Sequence, residues 1–117
     1  MKKDNRNKGA RGEEIAVEYL AERGYEIIER NFQTKFGEID IIAKKDGVLV
    51  FVEVKLKVGE RYGTPEEMVG KGKISKVKRM AVIYLKGKEV RCRMDVVAVV
   101  LDSEGRVERL THYENVN

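Results

Sequence analysis

The dipeptide Asp46-Gly47 restricts the fold of this chain more than any other feature, because it separates two runs rich in β-branched residues, 36–43 and 48–57. Asp-Gly takes the positive backbone angles of a two-residue hairpin turn with little strain, so the two runs are expected to pair as antiparallel strands. A two-residue turn also sets the register. Lys45 faces Val48, which puts Asp40 directly opposite Glu53 and Glu38 opposite Lys55. Side chains alternate along a strand, so these four would share one face. A three-residue loop would shift the register by one and separate them.

The other elements follow from periodicity. Ile15, Ala16, Tyr19 and Leu20 recur at helical spacing and Gly24 supplies a stop, so a helix is expected over 11–23. Glu13, Ala16 and Leu20 fall on one side of it, which turns Glu13 toward the interior. A first strand is read at 25–32. Thr64-Pro65-Glu66-Glu67 has the form of a helix start, but Gly70 and Gly72 weaken it, and the durable helix is placed at 71–86. Residues 92–101 are almost wholly apolar after Met94 and read as a buried strand. A half-exposed strand follows at 106–113. The order α-β-β-β-α-β-β makes an α/β single domain with a mixed five-stranded sheet flanked by helices. The basic, polar residues 1–10 are expected to be a flexible arm, with the domain at 11–117.

At 117 residues the chain has the size of one domain with one modest core. No run approaches the roughly 18 apolar residues of a spanning helix, and the start lacks the apolar segment of a secretory signal, so no membrane association is expected. The single cysteine, Cys92, leaves no internal disulfide and fits a reducing cytoplasm. With one histidine, His112, it cannot build a familiar zinc site.

Charge is distributed unevenly. The net charge is +4, yet residues 71–93 hold nine Lys or Arg against one acid, Glu89. A basic strip on an otherwise acidic body is the footprint expected for a phosphate backbone. The competing explanation is an ordinary solvated helix face.

Two carboxylates opposite each other on neighbouring strands repel, with Cβ atoms about 5 Å apart. The flanking Ile39, Ile41, Ile42, Val52 and Val54 make uncompensated charge costlier still. Either one acid is protonated or a cation lies between Asp40 and Glu53. Mg²⁺ suits such a pair, because it accepts one or two carboxylates and completes its shell with water and phosphate oxygens. Lys55, on the same face, could stabilise charge developing on a phosphate. Glu13 could add a carboxylate from the first helix. The competing account makes Glu38, Glu53 and Lys55 ordinary ion pairs on an exposed sheet.

Gly37-Glu-Ile-Asp-Ile-Ile-Ala43 and Val52-Glu-Val-Lys55, with twelve residues between Asp40 and Glu53, together resemble the PD-(D/E)XK nuclease signature. The whole chain is similar to the small bacterial YraN-like family of predicted endonucleases, akin to archaeal Holliday junction resolvases. The likeness is carried by Gly12-Glu13, Tyr19-Leu20, Gly24-Tyr25, Arg30-Asn31-Phe32, Lys73, Ala81-Val-Ile-Tyr84-Leu85, Met94-Asp-Val-Val97 and His112-Tyr-Glu-Asn115. It implies a restriction-endonuclease-like core with Mg²⁺ or Mn²⁺, Asp40 and Glu53 as ligands, Lys55 as the catalytic lysine, Glu13 as the first-helix acid and Lys73 near the phosphates. Ile39 stands where the superfamily name has Pro, and Leu56-Lys57 where Thr-Arg is more usual.

The reading from sequence is therefore a Mg²⁺- or Mn²⁺-dependent endonuclease acting on duplex or branched DNA, with a homodimer favoured if junctions are cut. Lys57, Tyr62, Lys71, Lys73, Lys76, Lys78 and Arg79 are the expected nucleic-acid contacts. Tyr62 is the best stacking candidate; Tyr19, Tyr25, Tyr84 and Tyr113 are read as packing. The alternatives are a non-catalytic nucleic-acid-binding module that keeps the fold, and a structural adaptor. Asp95 is expected to pair with Arg91 or Arg93, His112 to lie at the surface or an edge, and Cys92 to lie in the core.

Overall fold

The computed structural model describes residues 2–59 and 70–116, with only the backbone described at 2–9 and 71–72. The Thr64-Pro65 helix start and Tyr62 therefore lie outside the described residues. The elements run α1 (Lys2–Glu22), β1 (Glu26–Thr34), β2 (Gly37–Lys45), β3 (Val48–Val58), α2 (Lys71–Leu85), β4 (Cys92–Leu101) and β5 (Val107–Tyr113). This is the expected order of an α/β single domain.

The strands form one mixed sheet in the order β1-β2-β3-β4-β5. β1, β2 and β3 are antiparallel neighbours, β3 and β4 are parallel, and β4 and β5 are antiparallel. Parallel neighbours need a crossover, and α2 provides it between β3 and β4. β4 is buried at every position from Met94 to Leu101, which explains why that stretch is apolar throughout except at Asp95.

Among the described residues, each face of the sheet carries one helix. Ala16 and Leu20 of α1 pack with Ile41, Val50, Val52, Val97 and Val99. On the other face Val77, Met80 and Ala81 of α2 pack with Ile39, Ile42, Phe51, Met94 and Val96. Gly12 lets α1 approach β3 closely: a Cβ at this position would stand 3.0 Å from the Leu56 Cβ. Glu13 is thereby brought down toward the sheet on a helix that sits low over β3.

Three expectations change. Helix α1 begins at Lys2 rather than near residue 11, because once packing has nucleated the buried turns, each added residue gains a hydrogen bond at little further cost. Cys92 is exposed, since it is the first residue of β4 and lies at the end of the sheet. His112 lies on an edge strand, β5, as expected, but its side chain is only 8% exposed and does not face solvent. Its Nε2 lies 2.8 Å from Asp95 Oδ2 and its Nδ1 lies 3.3 Å from the Tyr19 hydroxyl.

Candidate functional site

The Asp46-Gly47 turn has positive φ at both residues, 50° and 78°, as a two-residue hairpin turn of the expected type requires. The ladder then runs in the expected register from Lys45 opposite Val48 to Ile41 opposite Val52. It ends there. At the next position the Asp40 side chain takes over from the backbone, and its Oδ2 accepts a 2.8 Å hydrogen bond from the Val54 N–H.

Alternation along β2 also breaks across Asp40. Ile41 and Ala43 face α1, whereas Ile39 and Ile42 both face α2. Asp40 therefore occupies the point where β2 leaves β3 and rolls over, a place where a side chain can enter between strands.

Asp40 and Glu53 are both buried, at 7% and 5% exposure. Burial first, and then the adjacent Asp40 carboxyl, push the Glu53 carboxyl up to about 9 against the opposing influence of Lys73. Glu53 Oε2 is buried with no hydrogen-bond partner among the described residues. The nearest cation is the Lys73 ammonium, at 3.6 Å, beyond ordinary hydrogen-bond reach. A buried acid with an orphaned oxygen beside a second carboxylate must hold a proton or share a cation.

These donors fit a divalent ion of the Mg²⁺ type. Among the described residues no three His, Cys, Asp or Glu side chains converge as a ligand group. The two carboxylates would be the protein's contribution, with water and phosphate oxygens completing the shell.

The other expected site residues are dispersed around this pair. Lys55 is half-buried and lies two residues beyond Glu53 on β3, opposite Ala98 of β4. Glu13 is partly buried on α1. Its carboxyl is pushed up first by burial and then by the charges of Asp40 and Glu38, with Arg30 and Asn31 acting the other way. Glu38 does not face Lys55. It is exposed, pairs with Gln33 across the β1–β2 ladder and accepts a 2.9 Å bond from Gln33 Nε2, because the β2–β3 ladder stops before reaching it.

Lys73, Lys76, Lys78 and Arg79 are exposed on α2 while Val77 and Met80 point inward, so the basic residues form an outer face as their spacing predicts. Lys71 begins that helix, and Lys57 is half-buried on β3. The role of Lys73 was only partly legible: sequence placed it near phosphate, and the structure seats it against Glu53. The available signal was topological, since a crossover helix starts near the end of the strand it follows.

Asp95 stands apart from this centre. It is fully buried on β4, and Arg93 Nε (3.0 Å), His112 Nε2 (2.8 Å) and the Asn115 N–H (2.9 Å) surround its carboxylate. Burial raises its pKa, but the bonds from His112, Arg93 and Asn115 outweigh that and hold it below the usual value. Arg93, not Arg91, is the expected partner. The network ties the end of the chain to the sheet.

The fold and the paired buried acids place the chain among small, single-domain α/β proteins. More specifically, it belongs to a family described as Uncharacterised protein family UPF0102, whose model matches residues 12–99. That span includes Glu13, Asp40, Glu53, Lys55 and Lys73. The chain is 44% identical over 110 residues to a UPF0102 protein of Pelotomaculum thermopropionicum, covering 92% of each chain. It is 44% identical over 101 residues to one of Syntrophomonas wolfei, covering 84% of this chain and 88% of that one. With one of Persephonella marina the identity is 48% over 98 residues, covering 80% and 83%. The YraN-like resemblance is thus borne out at the level of the family. No helix among the described residues is long and apolar enough to cross a membrane.

Proposed function

We propose that this protein is a cytoplasmic metal-dependent endonuclease that hydrolyses phosphodiester bonds in DNA, with Asp40, Glu53 and Lys55 at its centre. One observation carries the reading: two buried carboxyls meet at the end of the β2–β3 ladder, and one of their oxygens is left without a hydrogen bond. Such an arrangement is costly unless a cation is received there. The resemblance of the two strand motifs to the PD-(D/E)XK signature adds to it.

Asp40 and Glu53 would hold Mg²⁺ or Mn²⁺, which supplies an activated water and polarises the phosphate. The Val54 N–H fixes the Asp40 carboxylate against β3, so the pair is positioned before a substrate arrives. Lys55 extends from the same strand and would stabilise the negative charge of the transition state. Glu13 adds negative charge from the α1 side and would help orient the attacking water. The outer face of α2, with Lys76, Lys78 and Arg79, would contact backbone phosphates, with Lys57, Lys71, Lys73 and Tyr62 as further contacts. If the substrate is a DNA junction, a two-fold homodimer would present one such centre to each of two strands.

The test is cleavage of supercoiled and branched DNA with Mg²⁺ or Mn²⁺ by the wild type and by the Asp40→Ala and Lys55→Ala variants. Metal-dependent cleavage by the wild type and its loss in both variants is expected. Equal activity in all three rejects the site. Salt-sensitive binding without cleavage by the wild type supports a non-catalytic DNA-binding module instead.

A further inference from the structure

The first turn of α2 places a lysine on the acid pair. Lys73 Nζ lies 3.6 Å from Glu53 Oε2, and its side chain is 49% exposed whereas that of Glu53 is 6% exposed. One end of this contact is fixed in the interior. The other is a flexible four-carbon stem that reaches in from solvent and can withdraw along the way it came. At this distance the ammonium faces the acid pair without a formed hydrogen bond, so the contact offsets the negative charge of the pair and supplies little geometry.

We propose that Lys73 is a built-in counter-ion for the Asp40–Glu53 pair, which leaves the pair when a divalent cation enters and is then available to a phosphate oxygen of the substrate. The proposal rests on the metal-dependent reading above. A divalent ion held by the two carboxylates would lie a few ångströms from the ammonium, and like charges so close repel strongly in a partly desolvated site. The lysine must therefore move out, and the nearest anion a substrate can offer it is phosphate. Lys73 then acts as a positioning residue that couples two binding events. Metal entry frees the lysine for DNA, and DNA, by holding the lysine away, favours the metal. Such coupling is reciprocal by thermodynamic necessity.

Removing the lysine should remove the competition. The direct measurement is a Mn²⁺ titration by calorimetry, without DNA, of the wild type, Lys73→Met, Lys73→Gln and Lys73→Arg. Lys44→Met, a change of equal charge at an exposed position on β2, controls for the overall charge of the protein. Lys73→Met and Lys73→Gln are expected to bind Mn²⁺ about fivefold or more tightly than Lys44→Met, in the range typical of coupled sites. Lys73→Arg is expected to stay near the wild type. If Mn²⁺ binds but Lys73→Met and Lys73→Gln match Lys44→Met or bind more weakly, the exchange is wrong while the metal site stands. If none of these proteins binds Mn²⁺, the metal reading fails and the exchange fails with it.

Discussion

Replacing Glu53 by Gln should stabilise the metal-free protein at neutral pH, although it alters a residue placed at the centre of the site. Burial and the neighbouring Asp40 push the Glu53 carboxyl from 4.5 to about 9. A folded-state value raised above the unfolded one means that, between those two pH values, the folded chain holds a proton the unfolded chain has released. The stability associated with Glu53 is therefore complete below about pH 4.5 and is lost as pH rises toward about 9. At about pH 7.5 the solution is some three pH units above the unfolded value, at about 1.4 kcal/mol each, so the cost is on the order of 4 kcal/mol. Gln keeps the shape, needs no proton, and can donate a hydrogen bond to Asp40. Partial hydration of the carboxyl reduces the effect, and a gain of about 2–4 kcal/mol is expected at about pH 7.5, raising Tm by roughly 10 °C or more. Urea unfolding in EDTA at about pH 4.5, 6 and 7.5 measures it. The advantage of Glu53→Gln should be small at the lowest pH and grow with each step. A variant less stable than the wild type throughout, or one whose advantage does not change with pH, would refute the electrostatic account of the pair.

Further outcomes follow from other parts of the molecule. Asp95→Ala would leave Arg93 and His112 without their shared acceptor and should destabilise the fold by about 3–5 kcal/mol, measurable by urea unfolding. Because the pKa of Asp95 is lowered in the folded state, its contribution is present above its unfolded value near 3.8 and is lost as pH falls below that; the penalty of Asp95→Ala should therefore shrink in acid unfolding curves. Gly12→Ala places a methyl 3.0 Å from the Leu56 Cβ. It should cost about 1–3 kcal/mol from overpacking, less the roughly 1 kcal/mol that Ala gains in a helix; a variant more stable than the wild type by Tm would show that α1 does not sit so close. DNA affinity should fall steeply with salt, and Lys76→Ala should reduce the slope of log K against log salt by about one, as read by fluorescence anisotropy.

Local chemistry explains what the sequence revealed. The register from Lys45–Val48 to Ile41–Val52 was legible because a two-residue turn fixes pairing within a hairpin, and β4 was legible because it is almost wholly apolar after Met94. What depends on distant contacts was not. The sequence alone could not show that the β2–β3 ladder stops at Ile41, since the bond from the Val54 N–H to Asp40 that replaces it is a tertiary event. His112 looked peripheral because nothing near it in sequence shows that Asp95 and Tyr19 close over it. Cys92 looked like core because its residue type favours burial, while its exposure depends on where the sheet ends. Lys73 was legible as part of a basic strip, but its contact with Glu53 spans the crossover from β3 to α2.

The central claim is that Asp40 and Glu53 share one divalent ion. A crystal of the protein soaked in Mn²⁺ and measured for anomalous scattering addresses it directly. A peak is predicted within bonding distance of a carboxylate oxygen from each residue, absent from crystals of Asp40→Asn. Strong anomalous density elsewhere on the protein, with none between these two side chains, would contradict the account.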